Sequence, residues 1–245
     1  MKILLLGGTS DAIKLCQRLI IDGYEVIYSI KGLVRHPSLA CQIHSGGFGG
    51  INGLLNYIQT NAIDCLVDAT HPYAVNMSHH ADMVAQKSHL PCLHYLRPAW
   101  EKRPDDQWID FSSMQELASL LLSPIFLSSR LFFSMGQLSI DFLAQKQSHQ
   151  LYLVRTAIEQ TQSIDNVIWI KSIGPFTLSH ERQLFKDYAI DALISKNSGG
   201  ESVSAKIQVA REMKIPVFMQ KRPDLQTSQP IFNTLDGLVS ELLCL

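Results

Sequence analysis

The sequence predicts an α/β protein built on parallel sheets. Short apolar runs alternate with amphipathic stretches of helical length, glycine-bearing turns follow several of the apolar runs, and the same rhythm returns in both halves of the 245-residue chain. No fixed-period repeat accompanies it.

In the first half Ile3 to Leu6 reads as a buried strand. A helix follows to about Ile21, with Ser10 or Asp11 as its cap and Ala12, Leu15, Cys16 and Leu19 on one face, until Asp22-Gly23 ends it. Glu25 to Ile30 is the second strand, Gly53 to Gln59 an amphipathic helix, Ile63 to Val67 the next strand, Ala74 to Gln86 a helix and Leu90 to Tyr95 another strand. Around residues 97 to 106 proline, tryptophan and charge break the pattern, which predicts a boundary between domains 1–100 and 101–245. Beyond it the strand candidates are Ile125 to Leu127 or Leu131 to Phe133, Leu151 to Arg155, Val167 to Ile170, Ala192 to Ile194 and Val217 to Met219. Helices are expected at Met114 to Leu122, Leu178 to Lys186 and Ser202 to Met213.

Hydrophobic residues make up 46% of the chain and charged ones 18%, enough apolar material for a sizeable core. The formal net charge of -1 supplies no positive field for nucleic acid or an anionic membrane, so no such partner is expected. The apolar run before Gly7 is too short for a secretion signal, and Leu117 to Leu127, broken by Ser119, Ser123 and Pro124, falls short of the roughly 20 residues that span a bilayer. A cytoplasmic location is the expectation. The five cysteines form no CxxC pair and read as reduced thiols.

Gly7, Gly8, Thr9, Ser10 and Asp11 follow the first strand and open a helix, where amide N–H groups and the helix dipole can hold a phosphate; a plain tight turn would look the same. The second strand ends at Ser29-Ile30-Lys31 with Arg35 beyond, where an NAD-preferring site would carry an acid. Lys31 and Arg35 therefore suit the 2′-phosphate of NADP, or are ordinary solvated charges. Gly46, Gly47, Phe48, Gly49 and Gly50 permit close backbone approach to a ligand, with Phe48 available to lie against a flat ring; a surface loop is the alternative.

Asp68, Thr70 and His71 stand just past a strand, at the carboxyl edge where open α/β sheets bind ligands. His71 can pass a proton near neutral pH with Asp68 to orient it, and Asp68 or Thr70 can also cap the next helix. Arg97 and Trp100 combine a guanidinium with a flat aromatic, suiting a planar anion. Lys196, Asn197, Ser198, Gly199 and Gly200 form a second strand-and-glycine turn, and Lys221 and Arg222 add positive charge after the strand at Val217. The histidines lack metal-binding spacing, so no metal is expected.

In order, GGTSDA at Gly7, GGFGG at Gly46, DATHPYA at Asp68, RPAW at Arg97, YLVR at Tyr152, GPF at Gly174, KNSGG at Lys196 and the RP of Arg222 resemble the precorrin-6A reductase family of cobalamin biosynthesis. The resemblance implies two Rossmann-like domains with the active site in the cleft between them. It also implies an NADPH-dependent reduction of one double bond of precorrin-6A or cobalt-precorrin-6A. By that likeness Gly7 to Asp11 and Thr70 serve NADPH, Gly46 to Gly50 approach cofactor or ring, and Arg97, Trp100, the Lys196 turn, Lys221 and Arg222 meet the carboxylates of the macrocycle. A monomer or weak homo-oligomer is expected. The chain departs from the family pattern at Asp11, His44 and Ile173, where relatives commonly carry Glu, Arg and Arg. A noncatalytic NADP-sensing or corrinoid-carrying protein would use the same turns, and a zinc hydrolase drawing on the histidine-rich segment is a third reading.

Overall fold

A computed structural model describes every residue except 33–36, 124–128 and 137. The chain runs through β1 (Lys2–Leu6), α1 (Ser10–Ile21), β2 (Glu25–Ile30), β3 (Gln42–Ser45), α2 (Gly50–Thr60), β4 (Cys65–Asp68), α3 (Val75–Ser88) and β5 (Cys92–Tyr95). It continues with β6 (Trp108–Phe111), α4 (Met114–Leu122), β7 (Arg130–Ser134), α5 (Ile140–Ala144), β8 (Leu151–Thr156), β9 (Val167–Lys171), α6 (Leu178–Asp187) and β10 (Ala192–Lys196). After a 3-10 turn at Glu201–Val203 come α7 (Ala205–Glu212), β11 (Val217–Gln220), β12 (Ile231–Phe232) and α8 (Leu235–Leu242).

Two units result, Met1–Pro98 with Pro223–Leu245, and Ala99–Arg222. Among the described residues each unit holds one six-stranded sheet with every pairing parallel. The first sheet has the order β12-β5-β4-β1-β2-β3, the second β6-β11-β10-β7-β8-β9. Both are doubly wound. The winding reverses between β1 and β4 in the first and between β7 and β10 in the second, the places where such sheets open a crevice at their carboxyl ends.

Alternation along β1 shows how the sheet is buried on both faces. Ile3 and Leu5 join Leu15 and Leu19 of α1 and Leu238 and Leu242 of α8, while Leu4 and Leu6 join Leu54 of α2 and Val84 of α3. In the second unit α6 and α7 cover one face and α4 and α5 the other.

The domain boundary differs from the sequence expectation at the C-terminus. Residues 223–245 return to the first unit, where β12 pairs with β5 through Ile231↔His94 and α8 packs beside α1. A two-residue strand carries no periodic signal, so its partner is chosen only by the assembled sheet edge. The short polar strand β3, the edge strand β6 and the five-residue α5 were missed for the same reason. Of the two alternatives near residue 130, the strand falls at Leu131 to Phe133 within β7, while Ile125 to Leu127 lies outside the described residues.

Candidate active site

The first switch point brings two of the sequence motifs together. β1 and β4 are neighbours with Leu6 opposite Asp68, so the glycine turn after β1 and the Asp68 loop after β4 emerge side by side. Thr9 fastens them. Its hydroxyl donates to the Ala69 carbonyl at 3.1 Å and accepts the Ala12 N–H at 3.0 Å, making Thr9 the cap of α1 rather than Ser10 or Asp11.

The glycines here answer to Tyr28. A side chain at Gly7 would run into the Tyr28 ring, which is fully buried, and the Gly8 N–H donates to the Tyr28 hydroxyl at 2.9 Å. Space above Gly8 is open, and its φ of +102° is one that glycine adopts without strain. The N-terminal turn of α1 thus faces free volume, a fit for a phosphate. Asp11 lies in that turn, and Arg97 neutralises it through an Nη1 hydrogen bond of 2.8 Å. Both residues belong to the first unit, so Arg97 stands at the glycine turn.

A pocket opens beside this turn, lined in part by Asp68, Thr70, His71, Ser78 and His94 and occupying about 360 Å³ measured out into solvent. Asp68 does not orient His71, contrary to the sequence expectation. Its Oδ2 meets His94 Nδ1 at 3.1 Å, its Oδ1 accepts the Thr70 N–H at 3.0 Å, and Ser78 adds a side-chain hydrogen bond. Burial pushes the carboxyl up, but His94, Ser78 and Thr70 together outweigh it and hold Asp68 below the usual carboxylate value. His71 instead accepts the Tyr73 N–H on Nδ1 at 3.3 Å. Neither Asp68 nor Thr70 caps α3, which begins after Ala74 with no side-chain cap because residues 71–74 first form a turn.

Packing fixes the surroundings of the expected cofactor residues. Phe48 is half-buried, with its ring stacked on His44 at 4.6 Å and meeting Tyr57 edge-on at 5.1 Å. Burial lowers the His44 pKa, and the Nε2 of that ring has no hydrogen-bond partner among the described residues. Gly46, Gly47 and Gly49 shape the loop that leads into α2, with Gly49 at a φ of +80° as the residue before it. Lys31 is exposed just past β2, and Arg35 lies outside the described residues.

The second switch point carries the Lys196 turn. Lys196 ends β10, half-buried, and burial lowers its pKa. Asn197 spends its side-chain amide on Trp100, accepting the Trp100 N–H at 2.8 Å and donating to its carbonyl at 3.0 Å, while Arg222 Nε donates to the Asn197 carbonyl at 2.7 Å. The Ser198 N–H turns back to the Lys196 carbonyl, Gly199 sits at a φ of +69°, and Gly200 precedes the 3-10 turn. Lys221 is exposed, as is Ile173. The expected strand, glycine turn and helix arrangement is interrupted here, because α7 begins only at Ala205.

Sequence reasoning missed a buried ionic cluster in this unit. Arg155 of β8 lies between the faces of Phe132 and Phe176, at 4.7 and 4.0 Å, and grips Glu181 through both carboxylate oxygens at 2.7 and 3.1 Å. Lys206 of α7 lies nearby with its amine over the Trp100 ring. The YLVR motif marked Arg155, but nothing in sequence spacing links positions 155, 181 and 206.

Residues 2–242 match the family described as precorrin-6x reductase CbiJ/CobK. The precorrin-6A reductase of Rhodococcus erythropolis is 32% identical over 98% of this chain and 96% of its own length, and that of Mycobacterium tuberculosis H37Rv is 35% identical over 91% and 89%. The cobalt-precorrin-6A reductase of Priestia megaterium is 23% identical over 98% of each. A solved structure of CobK precorrin-6A reductase superposes with a TM-score of 0.89 at 28% identity, covering 100% of this chain and 96% of that one. Two doubly wound sheets, with the turns at Gly7, Asp68 and Lys196 at their switch points, accompany that full-length match, and the chain belongs to the precorrin-6x reductase family, oxidoreductases of cobalamin biosynthesis.

Proposed function

We propose that this protein reduces one ring double bond of precorrin-6A with NADPH. The observation that carries the reading is the Thr9 to Ala69 hydrogen bond, which locks the glycine turn before α1 to the pocket loop that holds His71. NADPH, when bound, supplies the hydride.

The chain's own residues do the rest. Gly7 to Asp11 would hold the pyrophosphate, with Thr70 beside them, and Arg97 cancels the Asp11 charge that would repel it. Lys31 and the absence of an acid at the end of β2 favour the 2′-phosphate. His71 Nδ1 accepts the Tyr73 N–H, so its neutral ring carries a proton on Nε2; taking a second proton from solvent, at the expense of that contact, would make the imidazolium that delivers the proton completing the reduction and returns to the neutral ring. Asp68 serves by holding His94 and the Thr70 amide, so that the loop keeps its shape. Trp100, Lys196 and Arg222, with Lys221, supply a flat wall and positive charge for the ring carboxylates; the turn from Asn197 to Gly200 frames them. The metal-free ring is favoured over its cobalt form because the relatives named for it are the more similar, at 28 to 35% against 23 to 24% identity.

Absorbance at 340 nm tests this. Loss of NADPH with precorrin-6A, faster than with NADH or with the cobalt-loaded ring, is expected. Binding of the ring without NADPH loss would overturn the reading in favour of a carrier protein.

A further inference from the structure

We propose that Lys206 binds a carboxylate arm of the ring substrate in the second unit, with Trp100 as the wall beside it. This deepens the proposed function and rests on it.

Lys206 occupies the first turn of α7 and is turned inward, only 4% exposed. Its Nζ lies 5.4 Å from the centroid of the Trp100 ring. An ammonium has three N–H donors, and a π face attracts the charge without supplying a lone-pair acceptor to any of them. Among the described residues no hydrogen-bond acceptor or salt-bridge partner meets Nζ.

The charges acting on Lys206 are those of Arg155 and Glu181. Glu181 is already held by Arg155 through both oxygens, so the three side chains together leave one positive charge uncancelled. Arg155 Nε is itself buried and has no hydrogen-bond partner among the described residues. A buried cation without acceptors is costly, and natural interiors tolerate one where a ligand completes it.

Burial first, and then the Arg155 charge, bring the Lys206 amine down to about 7, so an anion arriving there would restore its full charge. The arrangement favours a carboxylate, whose oxygens accept from the ammonium N–H groups and whose charge balances the surplus cation. Trp100 is a fixed wall because Asn197 clamps its backbone from both sides. A cofactor phosphate shares the same anionic chemistry, and the experiment separates the two.

Steady-state kinetics of full-length wild type, Lys206→Met and Lys206→Arg, with precorrin-6A and NADPH varied in turn, decide the matter. In Lys206→Met the KM for precorrin-6A is expected to rise on the order of ten- to hundredfold, the worth of a charged hydrogen bond. The KM for NADPH should stay within about twofold, and Lys206→Arg should recover most of the loss. An unchanged KM for the ring overturns the proposal, and a rise confined to NADPH overturns it in favour of a phosphate. Should Lys206→Met not fold, Lys206→Gln carries the same comparison, and failure of every substitution to fold would mark Lys206 as structural and overturn it too. Wild-type protein that consumes no NADPH would sink the functional reading itself, whereas wild-type turnover with an indifferent Lys206→Met sinks only this inference.

Discussion

Asp68 and His94 form a buried pair across adjacent strands, Oδ2 to Nδ1 at 3.1 Å, and through it the C-terminal segment is tied to the pocket. His94 Nε2 lies 3.4 Å from the Thr227 hydroxyl, which donates to Asp82 at 2.8 Å, so a residue beyond the second unit closes a polar chain in the first.

Breaking that pair should unfold the first unit before it alters chemistry. Asp68→Asn leaves the buried His94 without its carboxylate, the loss of a hydrogen bond to a charged group, which costs about 1.5–3 kcal/mol. Since the folded Asp68 pKa lies below its ordinary value of 3.8, the pair stabilises the fold above that value, and the contribution fades as pH falls through and below it. Thermal unfolding followed from pH 7 to pH 3 should therefore show the gap between wild type and Asp68→Asn narrowing towards the acid end.

Gly7 and Tyr28 predict a stability effect in the glycine turn. Gly7→Ala drives a methyl group into a fully buried ring, and overpacking of this kind costs about 1–3 kcal/mol. Tyr28→Phe removes only the hydroxyl that accepts the Gly8 N–H, worth about 1 kcal/mol. Urea denaturation should rank Gly7→Ala below Tyr28→Phe, and the reverse order would show that Tyr28 moves aside.

Arg97 gives a kinetic prediction. Its guanidinium neutralises Asp11 at the end of α1 where a phosphate is proposed to bind, so Arg97→Gln exposes that carboxylate to the phosphate. The expected result is a rise of about tenfold in the KM for NADPH, larger than any change in the KM for precorrin-6A, with partial recovery in the Arg97→Gln, Asp11→Asn double variant. A rise confined to the ring substrate would place Arg97 on the macrocycle instead.

Lys206→Met should be more stable than wild type. The amine titrates near 7 when folded and near 10.5 when unfolded, so between those values the unfolded chain binds more protons and wild-type stability rises with pH. The groups that face it are Arg155 and Glu181, with His180 lying 3.7 Å from Glu181. The gain in melting temperature of Lys206→Met should be greatest at pH 7 and below and should shrink towards pH 10.5. A variant less stable than wild type at pH 7 would contradict the reading of Lys206 as an uncompensated charge.

Apolar runs and their spacing were enough to read the strands of both sheets' centres and most helices, because a strand buried on two faces must be apolar at every position. Met114–Leu122 and Glu25–Ile30 fall where periodicity puts them. The motifs at Gly7, Asp68 and Lys196 were legible too, since turns at strand ends declare themselves through glycine and polar residues. What stayed hidden was which polar groups meet. His44 takes the face of Phe48, Asn197 takes the backbone of Trp100, and Asp68 takes His94 in place of His71.

Sequence alone therefore determined the parallel α/β class, the order of strands and turns, and the family likeness carried by eight short motifs. Tertiary structure alone decided that residues 223–245 complete the first sheet, that Arg97 belongs to the glycine turn, and that Arg155, Glu181 and Lys206 share one buried cluster. The physical reason is range. Periodicity and turn chemistry act between near neighbours in the chain, whereas pairing of an edge strand or a buried charge depends on partners 26 to 137 positions away, chosen only when the sheets assemble.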